Sequence, residues 1–304
     1  MCYVSRVSGK CIPTALVAGI AAFVVVVLRR RLKRRLDEPW PTNFAHRGAS
    51  SRAPENTLEA FRMAAGSGAG GLELDIHMTS DGGIIVTHDD SVDRTTDGSG
   101  LVREMTLGEV RDLDAGYQFT PDGGETYPYR GRGVRAPEFG EVLREFPNHK
   151  LNVDIKEEQP GVEAALLGII IEAGAKDRVL VVSEIPTVVR RFRELSEGRV
   201  STGASRPEIE TFFRLSRLRL EFLLRPPYDA LQVPVRFGGY EVATQRFVEA
   251  AHNRGVRVDV WTIDEPEEMR RLLDLGADVI MTNRPEVLEG MLRERRRWVS
   301  EVGG

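Results

Sequence analysis

From residue 43 onward, short apolar runs rich in β-branched residues alternate with longer segments whose apolar positions recur at helical spacing, and Gly or Pro stands at many of the junctions. The strand-like runs fall at 43–46, 70–75, 150–155, 178–183, 199–203, 229–233, 256–261 and 278–282. Helices are expected between them, at 55–65, 137–146, 162–172, 208–224, 241–253, 265–273 and 285–295. Eight strands interleaved with helices predict an α/β fold, a (β/α)8 TIM barrel over 43–295 followed by a short tail at 296–304. No long low-complexity tract or short exact repeat interrupts the rhythm.

Two departures from the rhythm locate a site. The apolar run at 84–88 follows the second strand after only 78–83, too short a connection for a parallel crossover. Asp81-Gly82-Gly83 is a turn signal, so the chain is expected to leave the barrel after Asp75 and return as a hairpin. A turn centred near Asp81-Gly82 puts residue 88 opposite residue 75, which brings His88 beside Glu73 and Asp75. The second departure is the stretch 89–136, rich in Gly, Asp and Tyr and too long for a simple loop, which predicts an inserted small subdomain or lid.

Upstream, residues 12–28 form an almost unbroken apolar run of 17 between a short tail, 1–11, and a basic linker, 29–42. That length suits one membrane-spanning helix. A cleaved signal peptide is the competing reading, but Arg29, Arg30 and Arg31 stand where small residues and a cleavage site belong. An interfacial helix would need a polar face that the run lacks. Six basic residues after the run and two before it place the body on the cytoplasmic side by the positive-inside rule. Those eight carry +8 in a chain of 304 residues with a formal charge of −4, leaving −12 elsewhere, a balance that excludes nucleic acid as the main partner. Cys2 and Cys11 both precede the run, so no disulfide staples the body. Acylation of either is the sharper reading and free thiols the plainer one.

Barrel sites gather at the C-terminal ends of the strands. His46 ends the first strand and is followed by Arg47, while Glu73 and Asp75 near the end of the second share one face by period-two alternation. Asp154 and Lys156 do the same at the end of the third. Three carboxylates from neighbouring strands suit Mg²⁺ or Ca²⁺, two histidines suit general acid and base, and Arg47 and Lys156 suit a phosphate. No Ser or Cys stands in a nucleophile setting. Each residue alone also reads as a solvated strand end, and His77, His149 and His252 are left as surface or core residues. Together they suggest metal-assisted phosphoryl transfer.

Ala45-His46-Arg47-Gly48, Pro54-Glu55-Asn56-Thr57, Leu72-Glu73-Leu74-Asp75 and His88-Asp89 resemble the glycerophosphodiester phosphodiesterase family. The likeness continues through Arg94-Thr95-Thr96, Asn152 to Lys156, Val260-Trp261-Thr262 and Thr282-Asn283-Arg284-Pro285, covering about 43–290. The resemblance implies a phosphodiesterase-type TIM barrel with an inserted subdomain and one divalent cation, Mg²⁺ or Ca²⁺. It implies His46 and His88 as the catalytic pair, Glu73, Asp75 and Asp154 as metal ligands, and Arg47 and Lys156 as phosphate contacts. Asp154 stands where many members have Glu, and Asn283 where the family often has Asp, which bears on substrate preference. Glu55 and Asn56 belong to the motif, either starting the next helix or touching the site. Trp261 either faces the substrate or packs at the barrel top. The expected reaction is hydrolysis of a glycerophosphodiester to glycerol 3-phosphate and an alcohol, with a lysophospholipase D as the alternative. The segment 208–224, apolar around most of its circumference but broken by Arg214, Arg217 and Arg219, is either a buried helix or a membrane-facing patch.

Overall fold

The computed structural model describes residues 40–302. The apolar run 12–28 and its flanks lie outside the described residues; among those described, no helix is long and apolar enough to cross a membrane. The strands are β1 (Asn43–His46), β2 (Gly71–Met78), β3 (Ile84–Val86), β4 (Lys150–Ile155), β5 (Val179–Val182), β6 (Ser201–Thr202), β7 (Ala230–Val233), β8 (Arg236–Phe237), β9 (Tyr240–Glu241), β10 (Arg257–Val260) and β11 (Val279–Thr282). The helices are α1 (Leu58–Ser67), α2 (Leu107–Asp112), α3 (Phe139–Glu145), α4 (Val162–Glu172), α5 (Pro186–Leu195), α6 (Arg206–Arg217), α7 (Gln245–Asn253), α8 (Pro266–Leu275) and α9 (Pro285–Val302).

Parallel pairing runs β6-β5-β4-β2-β1-β11-β10-β7, and a single rung between Gly203 and Ala230 joins β6 to β7, closing a ring of eight. Alternation within the strands divides the residues between two environments. Leu72, Leu74, Ile76, Leu151 and Val153 turn outward into a core shared with the surrounding helices. Glu73, Asp75, Asn152 and Asp154 therefore turn inward. Gln232 of β7 donates across the ring to Asn152 Oδ1 at 2.9 Å, and Asp259 holds Arg257 at 2.9 Å, forming a polar middle layer. Below it the ring of Trp40 stacks on Phe44 with centroids 5.8 Å apart and closes the N-terminal mouth. Gly71 makes room for Phe44, because a Cβ there would come within 2.2 Å of its ring.

The hairpin forms as expected, one residue out of the expected register. Ile76 pairs with Val86 and Met78 with Ile84, so the partner of Asp75 is Thr87, whose N–H donates to Asp75 O at 3.1 Å. The centre of the turn is Asp81 alone, held where Thr79 Oγ1 donates to Asp81 and accepts from Gly83 N–H. Over the insertion, Val92, Val102, Val110 and Ala136 bury themselves against Ile85 of β3, a small separate core beside the mouth.

The helix expected at 285–295 runs on as α9 to Val302, through most of the expected tail, and three others have bounds moved by identifiable residues. The first begins at Leu58, not 55, because Asn56 takes a left-handed φ of 56° and Thr57 is the N-cap, its side chain accepting from Ala60 N–H. The helix expected from 241 begins at Gln245, since Tyr240–Glu241 pairs with Arg236–Phe237 in a hairpin. The expected 208–224 helix stops at Arg217: Arg219 adopts a φ of 59°, and Leu220 N–H and Arg219 N–H donate back to Leu215 O and Ser216 O in a Schellman turn. A separate 3-10 turn, Glu221–Leu223, follows. The apolar circumference thus belongs to two segments, one packed through Phe212 and one turned outward.

Candidate active site

β1 delivers His46 to the C-terminal rim, and the chain then reverses through Arg47 and Gly48 at φ 55° and 84°. A left-handed non-glycine residue costs about 1–2 kcal/mol. At Arg47 it is offset by contacts that only this bend permits: its N–H donates to Glu73 Oε2 at 2.9 Å, its Nε lies 3.2 Å from Asp75 Oδ2, and its Nη1 donates to Glu55 at 3.0 Å. Asn56 closes the other side, donating from Nδ2 to Asp75 Oδ2 at 2.8 Å while accepting from Asp75 N–H. Glu55 and Asn56 thus brace the rim rather than start the helix.

His46 Nδ1 lies 2.7 Å from Asn283 Oδ1. Asn283 has no choice of orientation, because its Nδ2 donates to Asp264 Oδ2 at 2.7 Å and its N–H to Asp264 Oδ1 at 2.8 Å. Its oxygen therefore faces the imidazole, His46 Nδ1 is the donor, and Nε2, 3.9 Å from Glu73, is left unprotonated. Burial lowers the His46 pKa, against the opposing pull of the Asn283 bond. His88 follows β3, with Nδ1 donating to Asp89 at 2.6 Å. Burial pushes the Asp89 carboxyl up, but hydrogen bonds from Arg94 and His88 outweigh it and hold it at about 2. Arg94 also pairs with Glu55 at 2.7 Å, linking the insertion to the reversal after β1. His77 is buried where its Nε2 meets His88 O at 3.1 Å and its Nδ1 meets Glu157 at 3.3 Å, so it supports the backbone of His88.

Glu73, Asp75 and Asp154 reach the same rim, but not as a ready ligand group. Among the described residues no three His, Cys, Asp or Glu side chains are gathered to hold a metal ion. The reason is local charge: Lys156 Nζ stands 2.6 Å from Asp154 Oδ2 and 3.0 Å from Asp75 Oδ1. These carboxylates raise the Lys156 pKa although burial opposes them. Even so the rim is over-supplied with acid. Burial, reinforced by Asp75, holds Glu73 well above the usual carboxylate range, and burial raises Asp154 as well. Asp154 Oδ1 is buried without a hydrogen-bond partner. Buried oxygens of this kind are normally satisfied, and an all-carboxylate donor set with an unsatisfied oxygen fits a hard divalent cation.

Trp261 follows β10 at the same end and is 39% exposed, so it is not core packing. His149 and His252 lie away from the site: His149 sits edge-on to Phe146 before β4, and His252 pairs with Asp278 at 2.8 Å before β10. Sequence reasoning gave no role to Asp264, Ser50 or Asp89. Ser50 Oγ donates to Asn283 Oδ1 at 2.8 Å, so all three act on the histidines through hydrogen bonds. Asp89 had a signal in its adjacency to His88; Asp264, 19 residues before Asn283, had none.

Compared with known proteins, residues 46–287 match the glycerophosphoryl diester phosphodiesterase family. The chain is 34% identical over 258 residues to a glycerophosphodiester phosphodiesterase of Caldanaerobacter subterraneus, covering 83% of this chain and 97% of that one. It is 29% identical over 278 residues to the Bacillus subtilis glycerophosphodiester phosphodiesterase, covering 88% and 92%. Among solved structures, the glycerophosphoryl diester phosphodiesterase domain of a Mycobacterium tuberculosis protein aligns with a TM-score of 0.73 at 21% identity, over 83% of this chain and 99% of that one. An Oleispira antarctica phosphodiesterase in complex with sn-glycerol-3-phosphate aligns at 0.65 and 23% identity, over 84% and 97%. Likenesses at these identities speak for the fold.

Proposed function

The chain belongs to the glycerophosphoryl diester phosphodiesterase family and is a phosphoric diester hydrolase; we propose that it cleaves glycerophosphodiesters to glycerol 3-phosphate and a free alcohol by proton exchange through His46 and His88. The observation that carries this is the shared anchoring of the two imidazoles. Each is held at Nδ1 by an acceptor other than Glu73, Asp75 and Asp154, namely Asn283 for His46 and Asp89 for His88. Each therefore keeps Nε2 for a reactant.

His46, neutral because of its burial, takes the proton from the attacking hydroxyl. That hydroxyl is water's, giving glycerol 3-phosphate directly, or the glycerol 2-hydroxyl of the substrate, giving a cyclic phosphate that water must then open to glycerol 3-phosphate. As its oxygen bonds to phosphorus, the bond from phosphorus to the alcohol oxygen breaks, and His88 delivers a proton to the leaving oxygen. Arg47 and Lys156 supply positive charge to the phosphoryl oxygens. Trp261 offers an aromatic face at the rim for the glycerol or head group. Glu73, Asp75 and Asp154 would hold the divalent cation, Mg²⁺ or Ca²⁺, which when bound supplies Lewis-acid charge for a dianionic product. Even with Glu73 set aside because burial raises its pKa, the four carboxylates of Glu55, Asp75, Asp89 and Asp154 exceed the three cations Arg47, Arg94 and Lys156, so an anionic substrate needs that added charge.

His46→Ala and His88→Ala are each expected to lose about 10²–10⁴ in kcat on glycerophosphocholine, with unchanged thermal unfolding. Near-normal turnover in either sinks the assignment. Exhaustive chelation is expected to abolish turnover, restored by Mg²⁺ or Ca²⁺; activity indifferent to chelation removes the cation from the scheme. We further read the run 12–28 as a single-pass anchor with the body on the cytoplasmic side, as its flanking charges favour. In sealed right-side-out vesicles, protease added outside should then leave the body intact.

A further inference from the structure

Trp40 marks where the chain enters the described body. Its ring lies under Arg257, with the guanidinium 4.1 Å from its centre, and 5.6 Å from Lys150 Nζ, the first residues of β10 and β4. The entry point is thus the N-terminal end of the barrel, opposite the rim of His46 and His88. α6 runs from the C-terminal end of β6 back to the start of β7, so the segment after Arg217 lies on this same end.

That segment is unusual for a surface. Leu218, Phe222 and Leu223 are 66%, 63% and 62% exposed. Arg217, Arg219 and Arg225 are exposed around them, while Glu221, the acidic residue among them, turns inward onto Arg246 at 2.5 Å. Three exposed apolar side chains within six residues, bordered by arginines, match the interface of an anionic bilayer. The other end is opposite in sign, since the insertion 89–136 beside the mouth carries ten acidic residues against six basic. What lies beyond Trp40 points the same way: 39 residues with an apolar run at 12–28 and six basic residues at 29–35.

We propose that the patch of Leu218, Phe222 and Leu223, ringed by Arg217, Arg219 and Arg225, docks on an anionic lipid surface and turns the mouth to the aqueous side. The substrates are then water-soluble, deacylated glycerophosphodiesters rather than lysophospholipids seated in that bilayer. This rests on the phosphodiesterase reading for its substrates and draws support from the anchor reading.

The test uses the full chain, with Cys2→Ser and Cys11→Ser, reconstituted in phosphatidylcholine vesicles with and without phosphatidylglycerol. An environment-sensitive label is placed at Phe222→Cys or, beside the mouth, at Tyr127→Cys, and quenched by spin-labelled lipid. Quenching is expected at 222 and not at 127. It should require phosphatidylglycerol, and it should be lost in high salt and in Arg217→Glu/Arg219→Glu/Arg225→Glu. That variant should retain full turnover of glycerophosphocholine in detergent, which shows that it is folded. Quenching at 127 alone, or at neither position, overturns the docking. Carbonate extraction reads the anchor separately: a chain that washes off yet is quenched at 222 upholds the docking and loses the anchor. Docked protein should turn over glycerophosphocholine at its detergent rate and vesicle-borne lysophosphatidylcholine at least about tenfold more slowly, a difference of roughly 1.4 kcal/mol in barrier. Preference for the lysophospholipid overturns the orientation, whereas inactivity on both in detergent overturns the phosphodiesterase reading instead.

Discussion

Asn283 accepts a hydrogen bond from His46 through an amide oxygen at the end of β11. An amide oxygen sets the tautomer without adding a negative charge, and Asp264 keeps the amide turned the right way. The Asn283 bond favours the charged imidazole and burial disfavours it, with burial prevailing. Removing the bond in Asn283→Ala leaves burial less opposed, so the His46 pKa falls further and its neutral, proton-accepting form persists to lower pH. The acid limb of kcat/KM against pH should therefore move down, while kcat falls about tenfold, near the worth of one hydrogen bond. An acid limb that stays in place would show that His46 is not the base.

At the scale of elements, the segment first read as one apolar helix is two structures with different consequences. Within α6, Phe212 is fully buried, its ring edge-on to Phe247 at 5.5 Å, whereas the Schellman turn at Arg219 turns the following residues away. Phe212→Ala should lower stability by about 3–5 kcal/mol in chemical denaturation, the usual cost of removing a buried ring. Phe222→Ala, at an exposed position, should change it by no more than about 0.5 kcal/mol. The N-cap of α1 is a gentler test, with Thr57→Ala expected to cost about 1 kcal/mol. Similar losses at 212 and 222 would contradict the division of the segment at Arg219.

For the whole molecule, the barrel separates stability from chemistry along its axis. Trp40 seals the N-terminal mouth against Phe44 and Arg257, far from the rim that holds both histidines. Trp40→Ala should lower the Tm through lost aromatic stacking and cation–π contact, worth together about 1–3 kcal/mol. Its kcat should remain that of the parent, and a large fall in kcat would show that the two ends are mechanically coupled.

Period and punctuation along the chain determined most of the architecture, because strand alternation and helix spacing are local consequences of backbone geometry. The inward turn of Glu73, Asp75 and Asp154 follows from that alternation alone. So does the return of His88, placed to within one residue by the Asp81 turn. Other features depended on groups far apart in sequence. Asp264 fixes Asn283, and Asn283 fixes His46 across 237 positions; no local pattern encodes that chain of hydrogen bonds. Lys156 was legible as a phosphate contact, but its seat between Asp75 and Asp154 emerged only when strands β2 and β4 lay side by side. The end of α6 was likewise set by tertiary demand, since burying Glu221 against Arg246 draws the chain around at Arg219. Sequence settles which face a residue occupies, and tertiary structure settles what meets it there, because partners are chosen by the closing of the ring.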